Sequence, residues 1–95
     1  MTETQITAAI VKHLKSLRDA GERVHWFKVA GGLRQRIGCP DLLVCFRGRC
    51  HAWEVKIPGQ TATLRQAHEI SLWRKAGAIS EVVTSVEDVR RLLGL

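Results

Sequence analysis

The chain has 95 residues, 45% hydrophobic and 25% charged, which suits one domain spanning 1–95 and is too apolar for disorder. Fifteen Lys and Arg against nine Asp and Glu leave a formal charge of +6. The basic residues are spread along the chain, so a polyanionic partner is expected, nucleic acid before membrane.

A first helix is predicted from Glu3 to about Ala20, with Thr2 and Gln5 as a capping box and Gly21 as the stop. Ile6, Ala9, Ile10, Leu14 and Leu17 form its apolar stripe. Arg23 to Val29 alternates and carries β-branched and aromatic residues, as a strand does. Ala30 to Gly38 reads as a basic, glycine-containing loop. Leu42 to Phe46 is apolar at every position, which predicts a central strand. Arg47-Gly48 then turns the chain into a further strand, Arg49 to Ile57, ended by Pro58-Gly59. Thr63 and Gln66 form a second capping box for a helix that runs to about Ala76 and stops at Gly77. Ile79 to Thr84 predicts a strand, and Ser85 with Asp88 opens a short last helix carrying Val89, Leu92 and Leu93. The order αβββαβα, a meander followed by a crossover helix, implies an α/β fold whose mixed sheet is flanked by helices.

No uninterrupted apolar run approaches membrane-spanning length, and MTETQITAAIVKHLK is broken by Glu3, Gln5, Lys12 and Lys15, unlike a signal peptide. Cys39, Cys45 and Cys50 are odd in number and lack CxxC spacing, so reduced thiols in a cytoplasmic protein are expected. A zinc site from Cys45, Cys50 and His51 is disfavoured, because adjacent strand residues point to opposite faces.

The chemistry concentrates in the Leu42–Ile57 hairpin. With Arg47-Gly48 as the turn, facing residues share one index sum, which sets Asp41 opposite Glu54, and Lys56 shares a face with Glu54. Glu54 lies within AWEVKI, where its neighbours are mostly apolar, so its carboxylate must be paired, hydrated in a cleft or bound to a cation. An ion pair with Lys56 explains two of the three charges without catalysis. The trio also meets the needs of phosphodiester hydrolysis: two carboxylates to hold Mg²⁺, and an ammonium to orient water or offset developing charge.

Pro40-Asp41 followed by Glu54-Val55-Lys56 resembles the motif of the PD-(D/E)XK nuclease superfamily. Together with Glu3, Gly38 and Gln66, the pattern resembles the compact stand-alone VRR-NUC branch known from phages and bacteria, over Glu3 to about Val86. The resemblance implies a restriction-endonuclease-like αβββαβ core and a Mg²⁺ or Mn²⁺ cofactor, with no small-molecule cofactor. It implies metal ligation by Asp41, Glu54 and the Val55 carbonyl, and a water-positioning Lys56. Glu3 would complete the acidic cluster, and Gln66 would orient groups around the site. A bland reading stands beside each of the last two: Glu3 as an acid favoured by a helix dipole, Gln66 as a cap. The valine-arginine-arginine signature of the family name is not apparent around Lys56, where the chain reads EVKIPGQ.

Arg34 and Arg36, just ahead of Asp41, are expected to clamp DNA phosphates, with Lys28, Arg47, Arg49 and Arg65 extending that surface. Trp26, Trp53 and Trp73 are expected in the core or an interface, and the four histidines as structural or surface residues. The expected activity is structure-selective DNA endonuclease action on branched DNA in a bacterial or phage-infected cell. Resolving a four-way junction takes two sites and hence a homodimer. Flap cleavage or nicking by a monomer, a non-catalytic nucleic-acid-binding module and a structural subunit are the competing readings.

Overall fold

In the computed structural model, which describes residues 1–29 and 38–95, α1 spans Glu3–Asp19 behind the Thr2–Gln5 capping box. Strands β1 (Val24–Lys28), β2 (Leu42–Phe46) and β3 (Arg49–Val55) follow, then α2 (Leu64–Lys75), β4 (Ile79–Val83) and α3 (Val86–Leu93). The sheet order is β1-β2-β3-β4, antiparallel except for the parallel β3–β4 pair that the α2 crossover makes possible. This is the expected α/β order with a mixed sheet and a short C-terminal helix.

The hairpin turn forms where expected. Arg47 and Gly48 both take positive φ (50° and 80°), the pairing of a type I′ turn, and the ladder runs from Phe46–Arg49 to Leu42–Trp53. The strand predicted to reach Ile57 stops at Val55. The Lys56 N–H still bonds the Val83 carbonyl, but the Ile57 N–H is taken by the Gln60 side chain within a turn.

Ile6, Ile10 and Leu14 of α1 pack on Leu42, Val44 and Phe46 of β2, on Trp53 and Val55 of β3, and on Val83, Val89 and Leu93. Each such side chain contributes roughly 1.5–3 kcal/mol by leaving water. On the other face, α2 covers β3 and β4 but not the β1–β2 half. Hence β3 is buried on both faces from His51 onward, whereas β2, although central, is buried on one: Cys45 is exposed and Phe27 of β1 is 63% exposed. Trp53 is fully buried, as expected, while Trp26 and Trp73 are half-buried. None of the described helices is long and apolar enough to cross a membrane.

Candidate active site

The site lies at the open end of the β2–β3 hairpin. Glu54, near the end of β3, points to the face covered by the start of α2 and is only 3% exposed. At Asp41 the ladder steps. Its N–H donates to the Trp53 carbonyl, and its Oδ2 accepts the Val55 N–H at 2.8 Å. The expected backbone opposition to Glu54 is thus replaced by side-chain contact, and the two carboxyl groups still meet. Burial pushes the Glu54 pKa up to about 8, reinforced by the charge and hydrogen bond of Asp41 and by the charge of Glu3, with Lys56 opposing. Burial beside a second carboxyl therefore favours a proton on Glu54 unless a cation takes its place.

Gln66 makes the cap and also touches Glu54. Its Oε1 accepts the Thr63 N–H at 2.9 Å, closing the capping box, and its Nε2 donates to Glu54 Oε1 at 2.9 Å. The cap claims the amide oxygen, which leaves the NH₂ group for the carboxylate. A glutamate could make the cap but not the second bond. Lys56, half-buried, stands 4.0 Å from Glu54 Oε1, beyond hydrogen-bond range. Lys56 therefore opposes the rise in the Glu54 pKa without donating a hydrogen bond to Oε1. Glu54 Oε2 is buried with no hydrogen-bond donor.

Glu3, at the first turn of α1, reaches the same region. With Thr4, Thr7, Lys28, Val29 and Asp41 it lines a cleft of about 240 Å³, room for several waters around an ion. Thr7, whose hydroxyl donates to the Glu3 carbonyl at 2.9 Å, was not singled out in the sequence. Its i+4 spacing from Glu3 was the available signal. Among the described residues no three acidic, histidine or cysteine side chains converge as a ready-made metal cage. The donor set is nonetheless suitable for a hard divalent ion: two carboxylates, one of them with an orphaned buried oxygen, beside an open cleft that admits water.

The basic residues separate into two groups. Lys28 lines the cleft, and Arg65 is exposed on the first turn of α2, one residue before Gln66. Arg47 and Arg49 sit at the closed end of the hairpin. Arg47 makes a two-point ion pair with Glu22 and lies over the Phe46 ring at 4.8 Å. Arg34 and Arg36 lie outside the described residues.

Gly38 ties the approach to Asp41 onto α2. At φ +86° a Cβ there would stand 2.9 Å from the Arg65 carbonyl oxygen. Gly38→Ala is expected to cost on the order of 2 kcal/mol or more, combining left-handed strain with a backbone clash. Gly59→Ala, at φ +92° with open space around it, should cost only the strain. Thermal melts of the two variants check this, and equal losses would contradict the role of the contact.

No protein-family model matches the sequence, and no curated protein matches it. Among solved structures, one described as a VRR_NUC domain is similar at 27% identity and a TM-score of 0.76, covering 99% of this chain and 97% of that one. A second, described as a VRR_NUC domain protein, has 19% identity and a TM-score of 0.75, covering 99% and 86%, a likeness of fold.

Proposed function

As a member of the VRR-NUC nuclease-domain family, this chain is, we propose, a divalent-metal-dependent endonuclease that hydrolyses phosphodiester bonds in branched DNA. The observation that carries the reading is buried Glu54 beside half-buried Asp41, where burial and the second carboxyl favour a proton or a cation and one Glu54 oxygen is left without a donor. A module that merely bound DNA would gain nothing from clustered acids facing a polyanion.

Asp41 and Glu54 would hold Mg²⁺ or Mn²⁺, with the Val55 carbonyl and Glu3, directly or through water, completing the set. The ion supplies Lewis-acid activation of water and counter-charge for the phosphate oxygens. The chain's own residues do the positioning. Gln66 holds Glu54 in one orientation, and the Val55 N–H does the same for Asp41. The Lys56 ammonium, at the edge of the pair, orients the attacking water and offsets charge developing on the phosphoryl oxygens. Lys28 and Arg65, with Arg34 and Arg36, engage neighbouring phosphates.

Symmetric cleavage of a four-way junction needs two such sites, which supports a homodimer acting as a Holliday-junction resolvase in the cytoplasm of a bacterial or phage-infected cell. The test is cleavage of labelled four-way junction, flap and linear duplex by purified protein with Mg²⁺, Mn²⁺ or chelator. Paired cuts in the junction that vanish with chelator are expected. Activity that survives chelation would sink the metal mechanism, and binding without cutting on every substrate would favour the non-catalytic module. Junction resolution by a species of monomeric mass in scattering would refute the dimer.

A further inference from the structure

Outside the active site, the β2–β3 hairpin sets two thiols face to face. Cys45 and Cys50 are direct ladder partners, both free and exposed. We propose that they form a reversible cross-strand disulfide, an oxidative modification site driven by exchange with a low-molecular-weight disulfide such as oxidised glutathione.

The hydrogen-bond phase of the ladder is what makes the bond feasible. The Val29 N–H donates to the Asp41 carbonyl, so the odd-numbered residues of β2 direct their backbone groups to β1 and the even-numbered ones to β3. The two-residue turn agrees, because Phe46 and Arg49 flank it as the closing hydrogen-bonded pair. Cys45 and Cys50 therefore occupy a non-hydrogen-bonded position, where opposed Cα atoms lie about 4.5 Å apart and side chains approach most closely. Disulfides span Cα separations of roughly 4.4–6.8 Å, so the ladder needs little movement to close one.

Access is provided by the incomplete cover of the sheet. The pair sits on the face that α2 leaves open over β1 and β2, in a shallow cavity of about 250 Å³ that His25, Phe27, Leu43 and Trp73 also line. Cys39, half-buried just before Pro40, faces neither thiol in the ladder and remains the odd one. The pair lies four residues along each strand from Asp41 and Glu54, about 13 Å at the rise of a strand. Oxidation therefore clips the closed end of the hairpin and holds the register on which the open end depends.

The exchange balances in two steps. One cysteine thiolate attacks a sulfur of the small disulfide, forming a mixed disulfide and releasing one small thiolate. The second cysteine thiolate then attacks the protein sulfur of that mixed disulfide and expels the other half. Two protein thiols lose two electrons and two protons, and one small disulfide gains them as two small thiols.

The experiment uses Cys39→Ser protein at low micromolar concentration, an equal mixture of light and isotopically heavy chains, incubated with oxidised glutathione and then alkylated. The expected product is a monomer that has lost both remaining thiols without retaining glutathione. Trypsin should release the peptide ending at Arg47 joined to Cys50–Lys56 within chains of one isotope. Cys45→Ser and Cys50→Ser, each on the Cys39→Ser background, should instead keep a stable glutathione adduct. The oxidised protein should melt no lower than the reduced form. Persistent adducts on the two-thiol protein, linkage between light and heavy chains, or a lowered melting temperature after oxidation would each overturn the proposal. None of these readouts depends on nuclease activity.

Discussion

Glu54→Gln should abolish DNA cleavage, by more than about 10³-fold, while making the metal-free protein more stable at pH 8. Opposite signs are expected because the carboxylate proposed to hold the cation is a liability without one. Glu54 is buried beside Asp41, and its pKa in the folded protein is raised to about 8. Below the ordinary carboxylate range the group is protonated in both folded and unfolded chains, and no penalty exists. As pH rises towards 8 the unfolded chain releases the proton first, so stability falls through that window and the penalty is complete above it. A shift of this size is worth several kcal/mol, and each kcal/mol moves the melting temperature of a domain of this size by roughly 4–8 °C. A glutamine carries no charge, can still accept from Gln66 and can donate to Asp41. The comparison must be between variant and wild type at each pH. Burial also lowers the pKa of His13, with help from Arg90, and of His51, with help from Arg49. Those groups withdraw stability as pH falls, and they cancel in the difference. Melting curves from pH 5 to 8 with chelator, repeated with Mg²⁺, provide the measurement. Mg²⁺ should stabilise the wild type in saturable fashion and the variant far less. A variant that loses stability with pH as steeply as the wild type would contradict the assignment of the proton to this pair.

The second large effect concerns Lys56. Its Nζ is 4.0 Å from Glu54 and its side chain is 12% exposed, so it sits at the rim of the acidic pair without neutralising it. Lys56→Ala should lower the cleavage rate by about 10²- to 10³-fold, the usual loss when one donor to a developing oxyanion is removed. Divalent-ion affinity, measured by calorimetry on the protein alone, should stay the same or tighten, because a positive charge beside the carboxylates has gone. If Lys56 served only as the ion-pair partner of Glu54, its loss would change stability with little effect on rate at saturating metal. That outcome, or a weakened metal affinity accounting for the whole rate loss, would remove its place in the mechanism.

Much of the site was legible before any coordinates, for reasons that can be named. A two-residue turn at Arg47-Gly48 imposes an index sum that holds from Phe46–Arg49 to Leu42–Trp53, which brings Asp41 to the same end of the hairpin as Glu54 although Asp41 itself steps out of register. The three helix starts were readable because capping is a local exchange between residues three apart. The arginines show where local reading stops. Arg47 pairs with Glu22, 25 positions away, and no local pattern announces that contact. Gln66 looked like either a cap or a site residue, and only the packing of α2 over β3 shows one amide serving both.

The sequence by itself determined the order of elements and the register of the hairpin, because each follows from short-range periodicity and turn geometry. Tertiary structure alone decided that Asp41 leaves the ladder to hold the Val55 N–H, and that Glu54 is buried with an oxygen unanswered. It also decided that Gly38 lies against the backbone of Arg65, and that α2 covers only half of the sheet face. These features depend on where a helix settles across strands distant in sequence, and long-range packing sets burial, charge state and access in ways that the alternation along a strand cannot express.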